Sequence, residues 1–378
     1  MVMPDVAERD IELVLITGAG ASRSLAASRT PGVDQVFPLM ADWSSALIEK
    51  MSNAPSQNVM TMRQMLPLTE QMDGPSFERA LGTFIRQAQA FDVIEPLLKP
   101  STALINIQQS LKGQLQSGQS ILEDWHHWTQ SAIRELLDLL NETLFEQFHL
   151  GIDEQAAAGA YGWLLQQLQI APGSSFVYAT TNYDIVGETA LGCLNYLVDW
   201  GRPPQLTNPS PDTPLRVERL LHSLPRYVPV LHLHGRIGWY LRQDGSIRDY
   251  IVSNHNKEWG TPVVMWPDDQ KDATAYAATR VVDDIWGQFR EALGRARRVL
   301  VLGHSLHDPF LTQAIREHVP PTRLAVTTLG DENGANQQEI ARMRAEVGDA
   351  TFVLLDFNAT RSAGDELAKW AVRVNQLP

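Results

Sequence analysis

Four short segments carry side chains suited to chemistry, and each follows an apolar run. Gly18-Ala19-Gly20-Ala21-Ser22 follows residues 11–16, and Thr180-Thr181-Asn182-Tyr183-Asp184 follows 176–179. His232-Leu233-His234-Gly235 ends the run 228–233, and Gly303-His304-Ser305-Leu306-His307-Asp308-Pro309-Phe310 follows 299–302. Glycines after a buried strand let backbone N–H groups approach a phosphate at a helix N-terminus; they equally serve an ordinary strand-to-helix turn. Arg23 stands where the third glycine of a dinucleotide fingerprint would be, and no acid-tipped second strand follows about 20 residues on, which argues against hydride transfer. The Asn182 amide can hydrogen-bond a ribose hydroxyl or a water without adding charge. Asp184 can order its loop or favour a developing cation, and both residues also suit a helix cap. Glu188, one turn on, reads as a helix-face carboxylate. Strand alternation puts His232 and His234 on one side, but no further ligand pattern accompanies them, and no metal site is expected. His234, beside Gly235, is the better general base, while His232 packs. Gly303 and Ser305 can hold a phosphate or ribose. Asp308-Pro309 reads as an N-cap followed by proline at the first helical position. Ser305 lacks the Gly-x-Ser-x-Gly elbow that a Ser-His-Asp hydrolase of the α/β type requires.

These segments need a scaffold that brings strand ends together. The runs at 11–16, 176–179, 228–233, 299–302, 324–327 and 351–355 read as buried strands. Helical spacing at 42–51, 76–90, 121–148 and 154–168, and a final helix over 364–374, supplies the remaining elements. The expected fold is α/β, a doubly wound Rossmann-like parallel sheet with a large helical insertion. Residues 1–52 and 172–378 would form the catalytic domain and 53–171 the insertion. The stretch 201–229 reads as a long loop with one short helix. Asp244-Gly245 between strand-like runs suggests a hairpin with a type I′ turn.

Composition narrows the class. With 378 residues, the chain can bury a large core without staples, and its single cysteine, Cys193, excludes a disulfide framework or a Cys-rich zinc site. Forty-four acidic against 31 basic residues give a net charge of −13, so direct nucleic-acid binding is not expected. Residues 1–10 lack the apolar core of a signal peptide and no stretch reaches membrane-spanning length, which points to a cytoplasmic protein with no membrane partner.

Taken in order, Gly-Ala-Gly-x-Ser, Thr-x-Asn-x-Asp, His-Gly and Gly-x-Ser, each after a strand, resemble the sirtuin superfamily over residues 11–22, 176–188, 230–239 and 299–310. The departures are specific. The paired Cys-x-x-Cys zinc module of sirtuin deacylases cannot exist here, and Phe37-Pro38-Leu39-Met40-Ala41-Asp42-Trp43 stands in place of Gly-Ile-Pro-Asp-Phe-Arg. Thr-Thr-Asn-Tyr-Asp, Leu-His-Gly with a following Trp239, and Gly-x-Ser-Leu-x-Asp resemble the bacterial sirtuin-like NAD hydrolases of anti-phage defence. That resemblance implies NAD+ as substrate, no metal, and a catalytic pair of Asn182 and His234. It further implies dinucleotide contacts from Gly18, Ala19, Gly20, Ser22, Thr181, Gly303 and Ser305, with Asp184 and Asp308 ordering loops and favouring the cation. An NAD-depleting enzyme must be gated, and no separate sensor domain is expected within these residues. The resemblance therefore implies a homo-oligomer, or a partner such as a HerA-like hexameric ATPase or a short Argonaute that reads nucleic acid on its behalf. A non-catalytic NAD or ADP-ribose sensor and a zinc-less NAD-dependent deacylase are the alternative readings.

Overall fold

The computed structural model describes residues 11–22, 40–54, 154–171, 173–201, 215–217, 220–221, 226–250, 259–264, 279–328, 336–354 and 360–376, together with 56, 59, 80, 131, 135, 138–139, 141–143 and 145–146. The chain divides into two compact units. One comprises Met1–Leu39, Phe148–Met265 and Tyr276–Pro378, and the other Met40–Gln147 and Trp266–Ala275.

In the first unit, β1 (Ile11–Thr17) lies at the centre of a seven-stranded sheet. The other strands are β2 (Phe176–Thr180), β3 (Leu197–Asp199), β4 (Tyr227–His232), β8 (Ala296–Leu302), β9 (Leu324–Thr328) and β10 (Thr351–Leu354). Their order is β10-β9-β8-β1-β2-β4-β3, and every pairing is parallel. Setting edge strand β3 aside, this is the 3-2-1-4-5-6 order of a dinucleotide-type sheet, and the strand order reverses between β1 and β8. The doubly wound expectation therefore holds.

Alternation explains why both faces are covered. Leu13 and Leu15 enter one core with Phe176, Tyr178, Leu300 and Leu302, while Val14 and Ile16 enter another with Val177, Ala179, Val299 and Val301. The first face is covered by α2 (Glu154–Gln167), α3 (Val186–Cys193) and α7 (Thr360–Asn375), through residues such as Leu164, Leu191 and Trp370. The second is covered by α4 (Thr279–Arg295), α5 (Pro309–His318) and α6 (Asn336–Val347). In α4 the buried Val282, Ile285, Trp286, Phe289, Ala292 and Leu293 recur at helical spacing and form one apolar stripe.

The helix read over 154–168 belongs to this unit rather than to an insertion. Ala157, Ala160, Tyr161, Leu164 and Leu165 are buried in the sheet's core, and Arg298 of β8 donates to the Leu168 carbonyl at 2.6 Å beyond its C-terminal end. The expected insertion spanned 53–171, whereas the second compact unit comprises Met40–Gln147 and Trp266–Ala275. Within it, α1 (Met40–Asn53) bears Lys50, which pairs with Glu146. The described residues of the segments 76–90 and 121–148 are helical; the rest of both segments, residues 37–39 and most of 202–225 lie outside the described residues.

A smaller antiparallel sheet, β6-β5-β7, consists of β5 (Gly235–Leu241), β6 (Ile247–Asp249) and β7 (Thr261–Val264). The expected hairpin is present, but its turn is not type I′. Arg242 N donates to Ser246 O at 2.9 Å and Gly245 N to Arg242 O at 3.0 Å, and among 242–246 only Gly245 has positive φ, at 79°. Type I′ needs two such residues. A three-residue loop with glycine at the left-handed position fits instead.

Candidate active site

The carboxyl ends of β8, β1, β2 and β4 lie side by side, and the four sequence segments fall at those ends. Backbone bonds tie the tips together. Thr181 N donates to Thr17 O at 3.1 Å, Leu233 N to Thr180 O at 2.8 Å, and Gly18 N to Leu302 O at 3.0 Å. From α4, the Trp286 indole holds the Leu233 carbonyl at 3.0 Å and so fixes the turn that carries His234.

The glycines at the β1 and β8 tips serve close backbone approach. Gly20 N donates to Gly303 O at 3.0 Å, and Ala21 N donates to Gly18 O at 2.9 Å. A Cβ on Gly303, whose φ is +61°, would stand 2.3 Å from Ala21 N, so no side chain fits there. Three N–H groups of the 18–22 turn therefore meet protein carbonyls, while Ala19 is half-buried at the start of the helical turn 19–22. Ser305 is exposed, its carbonyl held by Arg342, and the buried Leu306 beside it adopts a left-handed φ of 55°.

Asn182, only 6% exposed, is held by its side-chain nitrogen, which donates to Gly18 O at 3.1 Å and to Ser22 Oγ at 2.9 Å. The Ser22 hydroxyl donates to Asp184 Oδ2 at 2.8 Å, and Asp184 Oδ1 accepts from Val186 N at 3.0 Å near the start of α3. Asp184 thus tethers the β2 loop to both α3 and the β1 turn.

His234 and Asp308 meet directly, with Nε2 2.8 Å from Oδ2 and both residues buried. The other carboxylate oxygen of Asp308 accepts from Phe310 N at 2.9 Å and Leu311 N at 3.2 Å, the N-cap expected before Pro309. Because β1 and β2 separate β4 from β8, this contact reaches across three inter-strand spacings, roughly 14 Å of sheet. A carboxylate only accepts, so the imidazole nitrogen that faces Asp308, Nε2, carries a proton.

The two histidines of the third segment part company. His232, 1% exposed, places Nε2 3.0 Å from Glu188 Oε2. Glu188 is no solvated helix-face carboxylate: it is buried and bound by the Arg236 guanidinium, which also reaches Asp249 Oδ1 at 2.9 Å. Trp200 Nε1 donates to the other Asp249 oxygen at 2.8 Å, and the Trp200 ring lies 5.0 Å from the Arg236 guanidinium carbon. Burial pushes the Glu188 carboxyl up, but Arg236 and His232 outweigh it and hold the group below its usual value. Burial lowers the His232 pKa. This buried charge network locks α3, the end of β4 and the small sheet together. One signal for it was open in the sequence, a lone arginine inside the apolar strand Gly-Arg-Ile-Gly-Trp-Tyr-Leu, because a buried guanidinium requires carboxylate partners.

Asp184 differs from Glu188 in having no cationic partner among the described residues. Burial raises its carboxyl from 3.8 to about 6, against the opposing pull of the Val186 N–H and the Ser22 hydroxyl. A carboxyl that binds its proton more tightly folded than unfolded lends stability that is full below about pH 3.8 and lost as pH rises through about 6. At neutral pH the ionised group costs about 3 kcal/mol. Asp184→Asn is accordingly expected to raise the urea midpoint at pH 7.5 and to lose that advantage below about pH 4, as read from denaturation curves at the two pH values. Compared with protein-family models and with curated proteins, the chain shows no match.

Proposed function

We propose that the chain is an NAD+ hydrolase that cleaves the nicotinamide–ribose bond, releasing nicotinamide, ADP-ribose and a proton for each water consumed. One observation carries this reading. Asn182 and His234, both buried, are each held in a single orientation by partners from the β1 and β8 tips, at the end of a 3-2-1-4-5-6 sheet where such folds bind ligands. Nicotinamide leaves as a neutral pyridine, so departure needs no general acid. The site must stabilise an oxocarbenium-like ribose and supply a nucleophile, unlike a glycosidase that uses one of two carboxylates as acid. Asn182 positions water and ribose, and His234 Nδ1 accepts the proton of the attacking water. The helical turn 19–22 and the loop from Gly303 to Ser305 flank the strand-order reversal, where the pyrophosphate and second ribose would lie.

By the motif resemblance, the activity belongs to NAD depletion in anti-phage defence, gated by self-assembly or by a partner of the HerA-like ATPase or short Argonaute kind. No helix among the described residues is long and apolar enough to cross a membrane. The test is incubation of the purified chain with NAD+, with and without an acetylated peptide, followed by chromatography. Equal release of nicotinamide and ADP-ribose without peptide is expected. Binding without nicotinamide release would favour a sensor, and release only with peptide would favour a deacylase; either result overturns the hydrolase reading.

A further inference from the structure

The hydrogen bonds around Asn182 have a direction. Asp184 as a carboxylate can only accept, so the Ser22 hydroxyl gives it its single hydrogen, across 2.8 Å. Ser22 Oγ is left to act toward Asn182 as an acceptor, and the Gly18 carbonyl is an acceptor by nature. Two acceptors facing one end of the carboxamide admit only the –NH2 group there. The amide therefore cannot flip without setting its oxygen about 3 Å from the Gly18 oxygen. Both amide hydrogens are engaged, and Oδ1 is the remaining polar atom.

We propose that Ser22 and Asp184 are positioning residues that fix the polarity of Asn182, presenting its carbonyl oxygen rather than its amide hydrogens to the ribose. The proposal rests on the hydrolase reading and adds to it the atom that acts. In the dissociating bond, positive charge develops over the sugar carbon and ring oxygen. The negative end of a carbonyl dipole stabilises that charge, whereas N–H groups aimed at it would oppose it. Ser22 and Asp184 are buried, as is Asn182, and Ser22 links the two by bonding both Asn182 Nδ2 and Asp184 Oδ2. For Ser22 this role differs from the dinucleotide contact that the motif resemblance implies.

Asp184→Asn keeps the shape and inverts the logic. An amide nitrogen facing Ser22 takes over an acceptor site, and the hydroxyl hydrogen must turn toward Asn182 or go without a partner. Expected for Asp184→Asn and Ser22→Ala is a fall in kcat for nicotinamide release, on the order of 10²-fold, with KM nearly unchanged. Ser22→Thr, which keeps the hydroxyl, should restore most of the rate. The melting temperature of Asp184→Asn should not fall, so its loss of rate cannot come from unfolding. A second measurement is independent of turnover. In ¹⁵N-Asn-labelled protein, with Asn182 assigned by its disappearance in Asn182→Ala, the side-chain amide hydrogens should exchange slowly in wild type and markedly faster in Asp184→Asn and Ser22→Ala. Wild-type kcat in both variants, a change in KM alone, or unaltered amide exchange would each overturn the proposal. If wild type releases no nicotinamide, the hydrolase reading fails by itself, and amide exchange still decides whether Ser22 and Asp184 orient Asn182.

Discussion

His234→Ala is expected to lower NAD+ cleavage by ~10²–10⁴-fold, the range typical of a positioned general base, while leaving the fold in place. The more informative partner is Asp308→Asn. Asparagine caps a helix about as well as aspartate, so the bonds to Phe310 N and Leu311 N survive and α5 keeps its start. What changes is the group facing His234. An amide nitrogen aimed at Nε2 demands a lone pair there and moves the ring proton to Nδ1, where the base is needed. Amide-for-carboxylate exchange at such a dyad is costly because it selects the wrong tautomer. Asp308→Asn should therefore lose on the order of 10²-fold or more in kcat with a melting temperature close to wild type. Asp308→Ala should lose comparable activity and also about 1 kcal/mol of stability from the missing cap. Steady-state nicotinamide release and thermal melts on the three variants provide the check. Full activity in Asp308→Asn would show that the contact with His234 serves only packing.

What could be read from the sequence divides along physical lines. The central strands were visible because both their faces are buried and near-continuous apolar runs result: Leu13, Val14, Leu15 and Ile16 are each fully buried. Edge strand β3 was not visible. It has three residues, and Leu197 is 52% exposed, so it bears neither a run nor an alternation. The helix Glu154–Gln167 was legible as a helix but not as part of the sheet layer, because its apolar stripe does not say which core it meets. The site shows the same division. As candidates, Asn182, His234, Ser22, Asp184 and Asp308 stand out by type and position after strands, but their pairings do not. Ser22 and Asp184 are 162 positions apart, and His234 and Asp308 are 74 apart. Such contacts depend on strand order, which local patterning does not encode. The strand-alternation rule also misled at His232 and His234. It ceases to apply once β4 ends at His232 and the chain turns at Gly235, whose φ is +81°, and the two imidazoles then take different carboxylates.

Asn182→Ala should reduce NAD+ cleavage by about 10²–10³-fold, the scale measured when one preorganised dipole is removed from a charged transition state. The protein should fold nonetheless, because its former partners do not become orphans. Gly18 O still accepts from Ala21 N at 2.9 Å, and Ser22 Oγ still donates to Asp184. The backbone at 182 remains anchored through its N–H to Thr180 Oγ1 at 3.0 Å. Asn182→Asp separates dipole from shape. Its carboxylate would face the Gly18 oxygen and the Ser22 oxygen with no hydrogen to give, close to the buried Asp184. This variant should be as inactive as the alanine at neutral pH and less stable than it, with the stability gap closing as acid protonates the new carboxyl. Melting curves between pH 5 and 8 alongside nicotinamide release distinguish the outcomes. An Asn182→Asp protein as stable as Asn182→Ala throughout would mean that the two acceptors do not face the side chain, and the orientation assigned to Asn182 would fall with them.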